Sequence, residues 1–239
     1  MHHSTEDPFD AEALRPPEYV CAPDPRTLNL VVIDKVTGVV RPITLEVQHS
    51  WIVQYVLSDT APRDVVVSFE TAKNLYLYAW FVFRFYTVAE QHALATLELA
   101  LRARFAAEIE ESFTSKGKRP PGLKALLQYG KDCGALANAK FTAARDRWAL
   151  ELARRRYDVE ITREMQRLGV EEMAYDYSDV KPMPEELAYD WLSHFMLRIP
   201  AIRNDYAHGS STLRHTVLST FEYVAELINQ LFPPDAKPT

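Results

Sequence analysis

Most hydrophobic positions in this chain recur at intervals of three and four residues, the spacing that places side chains on one face of an α-helix. The pattern predicts helices over residues 68–111, 123–129, 135–168, 185–199 and 212–231. The proline- and glycine-containing run KGKRPPG at 116–122 and an acidic, proline-containing loop at 169–184 separate some of them. The hydrophobic pattern therefore indicates a mainly helical protein.

Two of the predicted helices carry a well-defined apolar face. In the helix over 135–168 this inner face comprises Ala143, Trp148, Leu152 and Leu168. In the last helix the apolar stripe comprises Leu213, Val217, Phe221, Val224 and Ile228. We expect Pro200 to interrupt the penultimate helix and Pro233 to stop the last one, because proline removes a backbone donor.

The amino-terminal part of the chain follows a different pattern. Residues 28–33 and 39–45 are strand-like and flank a turn that ends at Gly38, which predicts a β-hairpin. Residues 48–57 fit either a helix or a third strand, and the proline-rich residues 1–27 are expected to be extended or poorly ordered.

A plausible boundary lies near Pro62, between the hairpin region and the helical pattern. The chain is therefore predicted to consist of an N-terminal segment, 1–62, and a helical domain, 63–239. The predicted fold class is all-α, a helical bundle with a small N-terminal β-hairpin.

Composition and charge narrow the classes of function. Hydrophobic residues make up 47% of the 239-residue chain and charged residues 25%, as in ordinary globular proteins. The net charge of −6 argues against coating of nucleic acid by bulk electrostatics, although it is compatible with a local basic groove. The apolar run Leu75–Val88 is shorter than the roughly 20 residues of a bilayer span and contains Arg84. We therefore expect a buried core helix, or a core face plus a subunit interface, and no membrane partner.

The two cysteines give no sign of a disulfide framework or a zinc site, because Cys21 and Cys133 are far apart and lack a CxxC spacing. They are typical of a reducing compartment, and the first residues lack the basic and apolar regions of a signal peptide. We therefore expect a cytoplasmic protein. No histidine pair has convincing metal-ligand spacing and no phosphate-binding loop occurs, so no metal and no cofactor is expected.

The candidate chemistry lies in the run Arg203-Asn204-Asp205-Tyr206-Ala207-His208. Cleaving RNA without a metal requires a base for the 2′-hydroxyl proton, an acid for the departing 5′-oxygen and a cation for the phosphate. Histidine side chains titrate near neutrality and arginine side chains stay charged. His208 therefore suits the proton transfers, and Arg203 can bind two phosphate oxygens. Asn204 lies four residues before His208, so on a helical turn it would share the face of that histidine and orient its ring.

The residues after the motif suggest how it meets the last helix. Gly209 permits a sharp turn, and Ser210 or Ser211 is a suitable cap for the final helix. The positive end of that helix would then lie beside His208, where it would favour a phosphate. The plainer interpretation is that Arg203 and its neighbours form ion pairs at a helix junction and that His208 is an ordinary capping residue.

This run resembles the signature of the HEPN superfamily, an arginine and a histidine separated by four to six residues, placed just before a C-terminal helix. The resemblance extends over about residues 65–232, where it is otherwise a generic helical pattern. It implies that Arg203 and His208 are catalytic, with Asn204 as the polar residue after the arginine. It also implies a homodimer in which two copies of the motif form one composite site, so that His208 of the partner subunit supplies the second proton-transfer group.

Basic residues outside the motif extend the predicted RNA-binding surface. We expect substrate contacts from a basic loop and from the helix before the motif, at Lys116, Lys118, Arg119, His194 and Arg198. Lys124 continues the basic loop. The many arginines of the helix over 135–168 alternate with acidic residues, which favours a solvated helix face over a phosphate-binding surface.

The resemblance implies a metal-independent endoribonuclease that cleaves RNA through attack of the 2′-hydroxyl group. It further implies a toxin or antiphage-defence effector, with RNA as substrate and an antitoxin or regulatory protein as a further partner. The same family also contains non-catalytic interaction and RNA-binding modules, which is the alternative function.

Overall fold

A computed structural model describes residues 9–34, 37–111, 121–141, 143–174, 176–207 and 215–235. Over these residues the chain forms ten α-helices and one two-stranded antiparallel sheet, which confirms the predicted fold class. The helices are α1 Pro25–Leu28, α2 Leu45–Ile52, α3 Arg63–Tyr78, α4 Phe85–Arg104, α5 Ala106–Ile109, α6 Leu123–Asp132, α7 Ala143–Leu168, α8 Pro184–Leu187, α9 Trp191–Ala207 and α10 Leu218–Leu231.

Helix α4 lies at the centre of the fold and packs against α3, α10, α6 and α9. Its side chains Leu94, Leu97 and Leu101 are completely buried. The rings of Tyr76 on α3 and Phe221 on α10 meet edge to face, with centroids 5.8 Å apart. Burial of such large apolar side chains is the main stabilising contribution to a domain of this kind.

The predicted apolar stripe of the last helix is confirmed where the structure describes it. Val217, Phe221, Val224 and Ile228 are all fully buried, and Leu213 lies outside the described residues. Helix α10 nevertheless begins at Leu218, later than predicted, with Val217 as its N-cap residue. The prediction that Ser210 or Ser211 caps this helix is therefore wrong.

The continuous helix predicted over 68–111 is interrupted between α3 and α4. Asp24, which is fully buried, accepts a hydrogen bond from the backbone N–H of Phe83 at 3.1 Å and donates its own N–H to the carbonyl of Trp80 at 3.0 Å. These contacts satisfy backbone groups that a helix would otherwise pair, so the apolar run Leu75–Val88 turns at this point. No helix of the described part of the chain is long and apolar enough to cross a membrane.

The N-terminal segment packs on the helical part of the molecule. The predicted hairpin is confirmed as strands β1 (Val31–Ile33) and β2 (Val40–Pro42), with Val32 opposite Arg41. Of the two structures that the sequence allowed for residues 48–57, the helix is observed over 48–52, at the end of α2, and residues 53–57 lie outside any helix or strand. Gln48 on α2 is buried and accepts a hydrogen bond from the Tyr86 hydroxyl at 2.8 Å, which ties α2 to α4.

Helix α7 differs from its predicted bounds and from its predicted inner face. It begins at Ala143, and the chain before it forms a short 3-10 turn at Asn138–Lys140. Trp148 is buried and Leu152 is half-buried, as expected, but Leu168 is 51% exposed, so its assignment to the inner face is wrong. Only the first half of α7 reaches the core, since no residue after Ala153 in this helix is buried.

Helix α9 continues through Pro200 to Ala207, which contradicts the prediction that Pro200 interrupts it. A proline inside a helix costs about 3 kcal/mol. Here Ile199 is fully buried and Ile202 is 9% exposed, so apolar packing on both sides of Pro200 opposes that cost. The consequence is that Arg203 and Asn204 lie on a helix rather than in a loop.

Candidate functional site

The structure describes part of the predicted motif. Arg203 and Asn204 lie in the last two turns of α9, and both side chains are exposed. His208 lies outside the described residues, as do Lys116, Lys118 and Arg119. The site is therefore built from Arg203, Asn204 and the elements around them.

Arg203 and Asn204 line a groove of about 560 Å³ between the carboxyl end of α9 and the amino end of α6, which we call the α6–α9 groove. Helix α6 is held against α9 by the ammonium group of Lys131, which donates to the Ser193 hydroxyl at 2.8 Å. The remaining walls of the groove are Gly122, Leu123, Lys124, Ala125, Gln128 and Pro200. The groove thus combines a guanidinium, an ammonium and two side-chain amides.

The amino end of α6 contributes backbone donors to this groove. Gly122 is the N-cap residue, and it has no side chain that could accept a hydrogen bond from the first turn. The first N–H groups of a helix have no partner within the helix and carry a partial positive charge. With Lys124 in that first turn, the α6 end of the groove is suited to an anion.

Glu98 on α4 fixes the position of Arg203. Its carboxylate accepts hydrogen bonds from Arg203 at 3.3 Å and from Arg102 at 2.6 Å. Arg102 also donates to the carbonyl of Pro121 at 2.9 Å, which links α4 to the residue just before α6. Two guanidiniums share one carboxylate, so this cluster keeps a net positive charge beside the groove.

Glu98 was not among the predicted site residues. Its pairing with Arg102, four residues on, is visible in the sequence as an ordinary helix pair. Its pairing with Arg203 joins residues that are far apart in the chain, and no local pattern signals it.

His194 and Arg198 lie on a different face of α9 from Arg203 and Asn204. They line a pocket of about 570 Å³ between α7, α9 and α10, which we call the aromatic pocket. None of the residues lining the α6–α9 groove lines this pocket. The structure therefore brings Arg203, Asn204 and Lys124 together but separates them from His194 and Arg198.

The aromatic pocket lowers the pKa of His194 below its usual value. Burial is the main cause, and the positive charges of Arg198 and Arg155 act in the same direction. The hydroxyl of Tyr189 lies 3.1 Å from Nδ1 of the imidazole and orients the ring. These surroundings disfavour the protonated form of His194, and the Tyr189 hydroxyl holds the ring at the rim of the pocket.

The described residues contain no group of three or more histidine, cysteine, aspartate or glutamate side chains arranged to hold a metal ion. The arginine, lysine and asparagine of the α6–α9 groove are donors to anions rather than ligands for metals.

The chain matches no protein-family profile, no curated protein and no solved structure.

Proposed function

We propose that this chain is a metal-independent endoribonuclease of HEPN type. RNA would bind in the α6–α9 groove, with a phosphate between Arg203, Lys124 and the amino end of α6. His208 would carry out the proton transfers that the motif implies. The observation that supports this most is that one groove contains Arg203, Asn204, a second cation and a helix end without a side-chain cap.

The chemistry of the proposal uses groups that the motif supplies. The 2′-oxygen forms a bond to phosphorus while the bond from phosphorus to the 5′-oxygen breaks. A base takes the 2′-hydroxyl proton, and an acid gives a proton to the departing 5′-oxygen. Arg203 would stabilise the charge on the non-bridging oxygens, and the products are a 2′,3′-cyclic phosphate and a 5′-hydroxyl group.

The two proton transfers call for two histidines, and the motif has one in each chain. We therefore propose a homodimer in which His208 of the partner subunit is the second group. In such a dimer Leu197, which is 77% exposed and lies seven residues before Asn204 on the same face of α9, would lie at the subunit contact. An RNA-cleaving toxin or antiphage-defence effector, controlled by an antitoxin or regulatory protein, is the biological setting that we propose.

Cleavage in a chelator tests this function. The purified full chain is incubated with labelled single-stranded and structured RNA in EDTA, beside Arg203→Ala and His208→Ala. Arg163→Ala and His49→Ala are matched controls, because both residues are exposed and neither lines the groove. We expect wild-type and control proteins to cleave and the two motif variants to lose at least about 100-fold in rate.

The same experiment separates the enzyme from the alternative function. RNA binding without cleavage, unchanged in all four variants, would reject the ribonuclease and leave a non-catalytic interaction or RNA-binding module. Cleavage that survives His208→Ala would reject the proposed role of the motif.

A further inference from the structure

The aromatic pocket has an apolar wall and a charged rim. Its wall comes from α7, α9 and α10 and is formed by Trp148, Leu152, Trp191, Phe195, Ile202 and Tyr223. The aromatic side chains of the wall pack against one another. The rings of Phe195 and Tyr223 are stacked with centroids 4.7 Å apart, and those of Trp148 and Phe195 meet edge to face with centroids 5.0 Å apart. A volume of about 570 Å³ lies within the range of small-molecule sites.

The carboxylates around this pocket are engaged by the protein itself. Glu222 forms an ion pair with Arg147 and accepts a hydrogen bond from the indole N–H of Trp148 at 2.7 Å. Glu151 pairs with Arg154 at 3.1 Å. Glu90, at the buried end, accepts a hydrogen bond from the Thr220 hydroxyl. Arg147 and Arg154 therefore compensate the charges of Glu222 and Glu151, whereas Glu90 is held by the uncharged hydroxyl of Thr220.

The two arginines at the rim of the pocket, unlike Glu222 and Glu151, form no ion pair with the described residues. Arg155 from α7 and Arg198 from α9 both line the pocket and both act electrostatically on His194. Neither guanidinium has a carboxylate within ion-pair distance over the part of the chain that the structure describes. Two like charges that converge on one pocket repel each other, and an anion bound between them relieves that repulsion.

We infer that the aromatic pocket is a binding site for a small aromatic anion. The flat apolar body of the ligand lies against the wall of Trp148, Trp191 and Phe195, and its carboxylate or phosphate group binds to Arg155 and Arg198. Planar guanidiniums bind both kinds of anion through paired hydrogen bonds. An inorganic anion would leave the apolar wall unused, so the ring is part of the recognition.

The binding test is independent of the proposed RNA cleavage. The ligand would contact α9 on the face that carries Arg198 and Ile202, whereas Arg203 and Asn204 line the separate α6–α9 groove. Ligand binding is measured without RNA, so its failure says nothing about cleavage, and the reverse also holds.

Calorimetry on the full chain tests the inference with a matched set of probes. Naphthalene-2-carboxylate and 2-naphthyl phosphate carry the ring and the charge, naphthalene-2-carboxamide carries only the ring, and inorganic phosphate carries only the charge. We expect the two charged naphthalenes to bind at least about tenfold more tightly than the other two probes. The tighter of the two identifies the anionic group that the site prefers.

Variants and tryptophan signals locate the binding. Arg155→Gln with Arg198→Gln should weaken the charged probes about tenfold, while Arg163→Gln, on the same helix α7 but outside the pocket, should not. In nitrogen-15 spectra the probe should shift the indole signals of Trp148 and Trp191 and leave those of Trp51 and Trp80 in place. Equal binding of the carboxamide, equal binding in the double variant, or no binding would overturn the inference.

Discussion

Arg203, at the carboxyl end of α9, forms an ion pair with Glu98 on α4, with 3.3 Å between the guanidinium nitrogen and the carboxylate oxygen. Arg203 is 48% exposed, whereas Glu98 is only 16% exposed. The carboxylate therefore anchors an arginine that still reaches the α6–α9 groove. It also competes with any phosphate for the same guanidinium, so its charge should tune RNA binding.

Glu98→Gln should strengthen RNA binding by about two- to fivefold, because it removes a negative charge that competes for Arg203. The measurement is fluorescence anisotropy at fixed salt with a 2′-O-methyl oligonucleotide, which lacks the attacking hydroxyl and stays intact. Glu160→Gln is the control, since Glu160 pairs with Arg156 on α7, away from the groove. Weaker binding by Glu98→Gln would contradict the proposed competition.

Lys124→Gln should reduce the dependence of RNA affinity on salt. Each phosphate neutralised on a single strand contributes a slope of about −0.7 in a plot of log affinity against log salt. We expect the slope to become shallower by about that amount, because Lys124 lines the groove beside Arg203. Arg163→Gln should leave the slope unchanged, and an unchanged slope in Lys124→Gln would remove Lys124 from the RNA contact.

The parts of the fold that could be predicted from the sequence are those that follow from the residue pattern within a single helix or hairpin. The apolar stripe of α10 follows the helical repeat, and Phe221 and Ile228 are fully buried as expected. Pro200 has a strong local tendency to stop a helix, but burial of Ile199 and Ile202 outweighs it. Local sequence does not contain that packing, so the sequence pattern predicts too early an end for α9.

Asp24→Asn should lower the free energy of unfolding by about 2–3 kcal/mol at pH 7, because hydrogen bonds to a buried charge are lost. The Asp24 carboxylate is fully buried and accepts two hydrogen bonds of 2.8 Å from the Arg26 guanidinium as well as one from the Phe83 N–H. Urea denaturation measures the change. Asp179→Asn, at an exposed aspartate, should change it by less than about 0.5 kcal/mol.

The effect of Asp24 should depend on pH. Burial by itself raises the pKa of Asp24, but the hydrogen bonds from Arg26 and Phe83 outweigh it and bring the pKa below the usual 3.8. The stabilisation is therefore complete above that value and is lost as the pH falls through the lower pKa of the folded state. The difference between wild type and Asp24→Asn should shrink in acid, and a difference that grows in acid would contradict the assignment.

Arg198→Gln should raise the pKa of His194 towards 6.5, because one of the two charges that oppose its protonation is removed. A titration of the imidazole signals by nuclear magnetic resonance measures this directly. Arg163→Gln should leave the His194 titration as it is. A pKa that does not move in Arg198→Gln would contradict the effect assigned to the charge of Arg198 on His194.

The candidate site was predicted only in part, for a related physical reason. Arg203 and Asn204 are adjacent in the sequence, and their chemistry could be read from the motif. Their neighbours in the groove are Lys124 and Gly122, the N-cap residue without a side chain, and both come from α6, which packs against α9. His194 and Arg198 lie on another face of α9, and helical spacing alone does not show which helices that face contacts.

The chemistry of the cleaved ends tests the central claim most directly. A defined oligoribonucleotide is treated with the full chain in EDTA, beside the same sequence with a 2′-O-methyl group at the cleaved position, and the fragments are weighed by mass spectrometry. The account predicts 2′,3′-cyclic phosphate or 3′-phosphate ends with 5′-hydroxyl ends, and no cleavage at the methylated position. Fragments with 5′-phosphate ends, or cleavage at the methylated position, would contradict it.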